Sequence, residues 1–576
     1  MIENETMKER VARKLPGKEK AIAVAAGREK ADLVLKNASF VNVFSNEMQT
    51  ADIAISGGLI VGIGEYDGKT EYDVSGKIVS PGFIDAHIHL ESAIVSPTEF
   101  AKATVPHGTT TVICDPHEIA NVMGTDGIDY MLESTEGLPV DVHFMLPSCV
   151  PATPEDESGA VLTYEDLDPY FDNFRVLGLA EMMNFVGVVA GDKPTVSKIL
   201  TSQGHHKKID GHAPDLTGKD LNAYIAAGVY SDHECHNIEN ALEKLRLGQF
   251  IMIREGTAAK NLTALMPLLN GKYASRCMFC TDDKHPNDLL CDGHIDSIVR
   301  KAVRMGADPI VALKVATHNA ARYFLMNNKG AIAPGYLADI IVMDNLTDFN
   351  VETVFKKGKL VYDKDGVKPF VSPKIDKELL EKAENSFCLP KVSAEDFKNE
   401  KPLGLIGLVK GEIYSENLGK AEKIDVENDI LKIAVVERHK NTGHIGVGFI
   451  KGYGLKKGAV ATSVAHDSHN IIVVGADEES MAKAVSVLVE QKGGIVVYDG
   501  EKTVATLPFE IAGLMTDRPL VDVNEDLENA KKEAKNLGVS ADIDPFMTLS
   551  FMSLPVIPSL RITTKGVFDV SEWKYI

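Results

Sequence analysis

Cysteine is scarce in this chain. Its 576 residues include seven, at positions 114, 149, 235, 277, 280, 291 and 388. An odd, scattered set excludes a disulfide framework and predicts a reducing, cytoplasmic setting. The lone Cys277-Met-Phe-Cys280 pair sits in an apolar run and reads as buried strand cysteines. Positive charge is in deficit: 61 Lys and Arg against 83 Asp and Glu leave a net charge of −22, which argues against a nucleic-acid partner. No apolar run is long enough to span a membrane. Residues 21–27 have the apolar character of a signal-peptide core, but the stretch is short and Arg28, Glu29 and Lys30 follow at once. A surface helix over 4–26 is expected instead. Low-complexity tracts and tandem repeats are absent. No GxGxxG marks a first strand-to-helix turn, which argues against an open doubly wound sheet.

What is present is organised around Ser80-Pro-Gly-Phe-Ile-Asp-Ala-His-Ile-His89. Apolar Ile84, Ala86, Ile88 and Leu90 alternate with Asp85, His87, His89 and Glu91, so both histidines are expected on one face of a strand. Two imidazoles one residue apart on a rigid strand can grip one metal ion. A lone pair of this kind is more often structural, so further ligands have to be found downstream.

Before this stretch, residues 28–79 read as a small β unit with a hairpin closed at Gly57-Gly58, too short to bury its own faces. Residues 326–370 read as more strands that return to complete it, giving a discontinuous β-sandwich domain. Between them, 80–325 alternate strands with helices. Expected strand ends are His89, Asp115, Pro147, Glu181, His212, His233, Glu255 and Asp282. Eight such units predict an α/β fold of the TIM-like (β/α)8 barrel type, with helices over 293–306 and 308–325 after the last strand. Residues 1–27 stand before as a helical segment. Residues 371–402, charged and proline-containing, read as a linker with a short helix. Residues 403–576 form a mixed α/β domain.

Strand C-termini of a barrel share one mouth, so the polar residues that end these strands converge there. His87, His89 and Asp282 can hold one divalent ion, and His212 and His233 a second. Glu181 ends the fourth strand between the two sets and can bridge them. Two ions sharing a hydroxide lower its pKa and make a nucleophile at neutral pH. Asp282 is placed to move the proton to a leaving group. The expected reaction class is metal-assisted hydrolysis at an sp² carbon.

The first-strand motif and the return Gly330-Ala-Ile-Ala-Pro-Gly-Tyr-Leu-Ala-Asp339 resemble the amidohydrolase superfamily. Finer features resemble its adenine deaminase family: His89-Leu-Glu-Ser92, Asp115-Pro-His-Glu-Ile-Ala-Asn-Val-Met-Gly124, Asp210-Gly-His-Ala-Pro214, Arg254-Glu-Gly256 and Cys280-Thr-Asp-Asp-Lys-His-Pro286. Val436-Glu-Arg-His439, Gly454-Leu-Lys-Lys-Gly458 and Ala465-His-Asp-Ser-His-Asn470 resemble that family's second domain. The resemblance covers nearly the whole chain. It implies a hydrolase acting on the C–N bond of a cyclic amidine, converting adenine to hypoxanthine and ammonia by attack of a metal-activated hydroxide at C6. It implies a binuclear centre of two divalent metal ions, Mn2+ first, with Fe2+ or Zn2+ as other occupants, and a homo-oligomeric, dimeric assembly.

No carboxylated lysine is in place as in dihydroorotase-like relatives; Glu181 stands there instead. Asp282 carries over as eighth-strand ligand and proton shuttle, with Asp283 beside it as a further catalytic candidate that points the other way unless the strand has ended. Glu91, Asp115, His117 and Glu118 lie near the mouth, and two roles are open to them: contacting the purine, or fixing the metal-binding histidines. The alternative function is another metal-dependent amidohydrolase, acting on a different heterocycle or cyclic amide. Of the C-terminal histidines 439, 444, 466 and 469, His466 or His469 is expected at the barrel mouth as part of a lid.

Overall fold

The structure, a computed structural model, describes residues 5–576; Asn4, with which the expected first helix begins, lies outside the described residues. Helix α1 (Met7–Ala25) starts at a Thr6 capping box with Glu9 and packs Val24 against Val34, Ala54 and Val61. The strands of residues 31–81 then join those of 340–367 in one hydrogen-bonded sheet of nine strands. The chain's return is explicit in its register: Ile341 lies opposite Ser80 in an antiparallel pair. Ala31–Asn42 is broken by a bulge between Leu35 and Ala38. Its first half pairs with Gly68–Asp73 and its second with Ile78–Pro81. A single sheet therefore encloses the core of Phe40, Ile53, Val79, Ile340 and Phe355.

Eight parallel strands follow: β1 Phe83–Ile88, β2 Thr109–Cys114, β3 Asp141–Leu146, β4 Val176–Met182, β5 Lys208–Gly211, β6 Ser231–Asp232, β7 Phe250–Arg254 and β8 Cys277–Cys280. Each ends within two residues of the expected position. They form a five-stranded sheet, β1 to β5 in order, and a three-stranded sheet, β6 to β8. Backbone bonds join the sheets at both edges: Tyr230 N–H donates to Ile209 O, Asp282 N–H to His87 O, and His89 N–H to Asp282 O. The arrangement is TIM-barrel-like. Runs such as Thr109-Thr-Thr-Val-Ile-Cys114 are buried along their whole length, as strands covered on both faces must be.

The inner layer holds Ile84, Ala86, Ile113, Met145, Ala180, Met252, Met278 and Cys280. Uninterrupted alternation from Ile84 and Ala86 would turn His87 and His89 outward. The alternation is interrupted: the β1–β2 register slips between Asp85 and Ile88, and the β4–β5 register slips between Leu179 and Met182. Each slip puts one extra residue on one strand. Ala86 and His87, and likewise Ala180 and Glu181, then face the interior in succession. The unbroken period of two expected for the first strand is corrected on this point.

The 371–402 segment is not a free linker. It carries helix Lys377–Glu384, and Val392 and Phe397 are buried with Val436 and Ile471 of the C-terminal sheet and Leu488 of helix Glu478–Glu490. That sheet has eight strands. Leu403–Leu408, Ser415–Ala421 and Thr503–Pro508 are among its strands, and a further three-stranded sheet begins at Leu560. No described helix is long and apolar enough to cross a membrane.

Candidate metal centre

Glu181 is the middle of the site. Its Oε1 lies 3.2 Å from His89 Nε2 and 3.7 Å from His87 Nε2, and its Oε2 lies 2.6 Å from His212 Nδ1 and 3.2 Å from His233 Nε2. Asp282 Oδ1 closes the first set at 3.1 Å from His87 Nε2 and 3.3 Å from His89 Nε2. Ligand atoms of His87, His89, Glu181 and Asp282 all lie within 4.8 Å of one another, as do those of Glu181, His212 and His233. The structure thus brings together all six residues expected as ligands. Asp282 reaches the cluster from just beyond β8 with a left-handed backbone, φ 61°.

The electrostatics of this set call for a cation. Burial opposes charge on His89 and His233, yet bonds from Asp282 and Glu181 hold His89 well above its usual range, and Glu181 and Glu234 raise His233 to about 10. Burial likewise opposes ionisation of Glu181 and Asp282, but surrounding imidazoles, and Arg254 for Asp282, hold both well below the carboxylate range. Buried carboxylates that draw protons onto buried imidazoles express a local demand for positive charge, which divalent ions meet with these N and O donors. His89 Nδ1 faces Asp115 O at 3.1 Å. As a donor there it carries the proton on Nδ1 and leaves the Nε2 lone pair toward the cluster.

The remaining candidates stand around this core. Asp115 Oδ2 is 2.9 Å from His117 Nδ1, and its Oδ1 accepts the His117 backbone N–H. It therefore orients His117, whose ring is centred 4.5 Å from that of His89. Glu91 is buried; Oε1 accepts the Ile119 N–H while Oε2 has no partner among the described residues. Burial, with Glu118 nearby, pushes the Glu91 carboxyl up to about 7. Glu118 turns toward the C-terminal domain: His466 Nδ1 lies 2.8 Å from Oε1, and His469 Nε2 contacts Oε2. Both histidines of the expected lid thus sit at the mouth. Asp283 is not in the cluster; its carboxylate accepts from Ser92 Oγ. It lines, with Glu91, Glu118, His285 and His466, a cavity between the mouth and the C-terminal domain.

Two residues stand in motifs quoted from the sequence but were given no role there. Arg254 Nη1 donates to Glu234 Oε1 at 2.5 Å and to Asp282 Oδ2 at 3.0 Å. Arg254 ends β7, and its place at a strand end was the signal that could have found it. Asp467 enters from the C-terminal domain and lies with His117 and Glu118.

Comparison with known proteins agrees with this architecture. Residues 78–361 match the amidohydrolase family, and residues 412–574 match the adenine deaminase C-terminal domain. The adenine deaminase of Desulfatibacillum aliphaticivorans is 46% identical over 97% of this chain and 99% of its own. Adenine deaminase 2 of Carboxydothermus hydrogenoformans is 48% identical over 96% of this chain and 98% of its own. That of Clostridium acetobutylicum is 46% identical over 97% and 99%. The chain belongs to the adenine deaminase family of the amidohydrolases.

Proposed function

We infer that the chain hydrolyses adenine to hypoxanthine and ammonia, with the cluster around Glu181 as its reaction centre. The observation that carries the reading is the split of Glu181 between two imidazole sets, one through each carboxylate oxygen. His87, His89, Asp282 and Glu181 would hold one divalent ion, and Glu181, His212 and His233 a second, with Mn2+ as the proposed occupant and Fe2+ or Zn2+ as others. Such ions, when bound, supply Lewis acidity that makes water nucleophilic near neutral pH.

The protein's own groups do the rest. Asp282 accepts the proton of the attacking water and delivers it to the departing amine, and Arg254 holds its second oxygen in place. Asp115 orients His117 beside the cluster. Glu91 offers the substrate a buried carboxylate oxygen with no other partner. His466 and His469 hold Glu118 at the mouth, so the C-terminal domain helps to keep bulk water out.

The two parallel sheets are proposed to close as one (β/α)8 barrel, on the strength of the bonds at both edges. The seven free cysteines support a cytoplasmic location. A homodimer is the proposed assembly, supported by the exposed apolar stripe of Met7, Val11, Leu15 and Ile22 on α1; light scattering in solution tests it. The function is tested by ammonia release from adenine after chelation and reloading. Activity should vanish on metal removal and return in full at two equivalents of Mn2+ per chain. Full activity without metal, or hydrolysis of cyclic amides in place of adenine, would reject the reading.

A further inference from the structure

The loop that carries His466 and His469 also carries Asp467. This side chain is 2% exposed, and its Oδ2 has no hydrogen-bond partner among the described residues. A carboxylate oxygen of Asp467 lies within 4.8 Å of ligand atoms on both His117 and Glu118. A buried acceptor left unpaired is destabilising.

The loop holds Asp467 there from both sides. The His466 N–H donates to Ser550 O at 2.9 Å, and Ser553 Oγ donates to His466 O at 3.0 Å. His469 Nδ1 accepts the Ala465 N–H at 3.2 Å. That bond places the ring proton on Nε2, which donates to Glu118 Oε2. His469 is thereby a hydrogen-bond donor to Glu118. Arg438 Nε donates to His469 O, and Asn470 Nδ2 to the barrel's Glu157 O. Asp467 is fixed by its neighbours and its own Oδ2 is left over.

An unpaired, buried acceptor beside a reaction centre is suited to a donor that arrives with the substrate. Adenine, with C6 at the Glu181 cluster, places N7 of its imidazole ring beside the 6-amino edge and N9 on the ring's far side. The free base carries an N–H on this ring, at N9 or N7, and a base substituted at N9 with its N7 unprotonated does not. We propose that Asp467 is a specificity-determining residue that accepts the imidazole-ring N–H of adenine and so selects the free base over N9-substituted purines. This rests on the adenine reading above. A site built to pair with a substrate N–H rejects the analogue lacking it by about 10⁴-fold or more, because the buried group is then left unpaired.

The test compares kcat/KM for adenine and 9-methyladenine, and inhibition by hypoxanthine and 9-methylhypoxanthine, in the metal-loaded wild-type protein and in Asp467→Ala and Asp467→Asn. The expectation for Asp467→Ala is a loss of about 100-fold on adenine and of hypoxanthine affinity, with a gain for both methylated purines, because the acceptor they leave unpaired is gone. Asp467→Asn keeps the shape and a carbonyl acceptor, so its loss on adenine should be intermediate. Metal content should stay at two equivalents in both variants. An equal fall on methylated and unmethylated purines would make Asp467 purely structural and overturn the proposal, as would full adenine activity in both variants. A wild-type protein that releases no ammonia from adenine would instead overturn the functional reading, a separate result.

Discussion

Glu181 has two carboxylate oxygens, and each faces a different imidazole pair. Glu181→Gln keeps one oxygen and replaces the other with an N–H donor, which repels a cation. The expected result is loss of one metal equivalent per chain and a fall in kcat on the order of a thousandfold. Two retained equivalents with a near-normal rate would make Glu181 structural. Much of this site was legible as residues. Histidine and acid at strand ends stand out against apolar strands, and all six ligand candidates were found that way. Asp467 was not, because nothing in a linear sequence joins an acid at position 467 to a histidine at position 117. The pairing is made only by the docking of two domains. Asp283, expected to point the other way unless the strand had ended, stands apart from the cluster, and of the two adjacent acids only Asp282 contributes a ligand atom to it.

At the scale of the element, the strands were legible and their irregularities were not. Alternation located β1 and its paired histidines, but the bulges that aim His87 and Glu181 inward insert a residue without any compositional mark. On β3 the alternation itself holds, because the register slip against β4 between Phe144 and Met145 puts its extra residue on β4, and this carries a prediction. Asp141, His143 and Met145 share a face, and both ring nitrogens of His143 are buried without partners among the described residues. Burial first, and then the charge of Lys329, hold its pKa down from 6.5 to about 3. Above the ordinary value both folded and unfolded forms are neutral and the group contributes nothing to the pH dependence. Below it the unfolded chain takes a proton that the native ring refuses, so stability is lost as pH falls toward the native value. Between about pH 7 and pH 5 the loss from this one group is about 2 kcal/mol. His143→Leu should reduce the drop in unfolding free energy over that interval by about this amount, read from urea denaturation at both pH values. An unchanged drop would mean that the native ring is protonated, or that the unfolded state does not take up the proton.

The whole molecule is joined across its domains. Ser96 N–H donates to Thr516 O at 2.8 Å, and Thr516 N–H to Ile94 O at 3.1 Å. Ile94 and Val95 of the barrel share a buried cluster with Leu514 and Met515 of the C-terminal domain. Glu157 binds His444 and Thr564 from the barrel side. Sequence composition located the second domain but not this seam, because the charged, proline-containing stretch 371–402 has the look of a tether and instead packs into the core it leads to. Removing residues 403–576 outright would bare that apolar seam and invite aggregation, an outcome that says nothing about catalysis. The informative cut is smaller. The double variant His466→Ala, His469→Ala releases Glu118 while leaving the Thr516 ladder and the shared cluster intact. Because the seam remains, calorimetry should still show barrel and C-terminal domain unfolding in a single transition, and both metal equivalents should stay bound. Because Glu118 is no longer held, activity on adenine should fall by about 10- to 100-fold, the range seen when groups that orient a metal site are removed. Two resolved transitions in the wild-type protein would show that the seam does not couple the domains. Full activity in the double variant would show that the C-terminal domain covers the barrel mouth without shaping what happens in it.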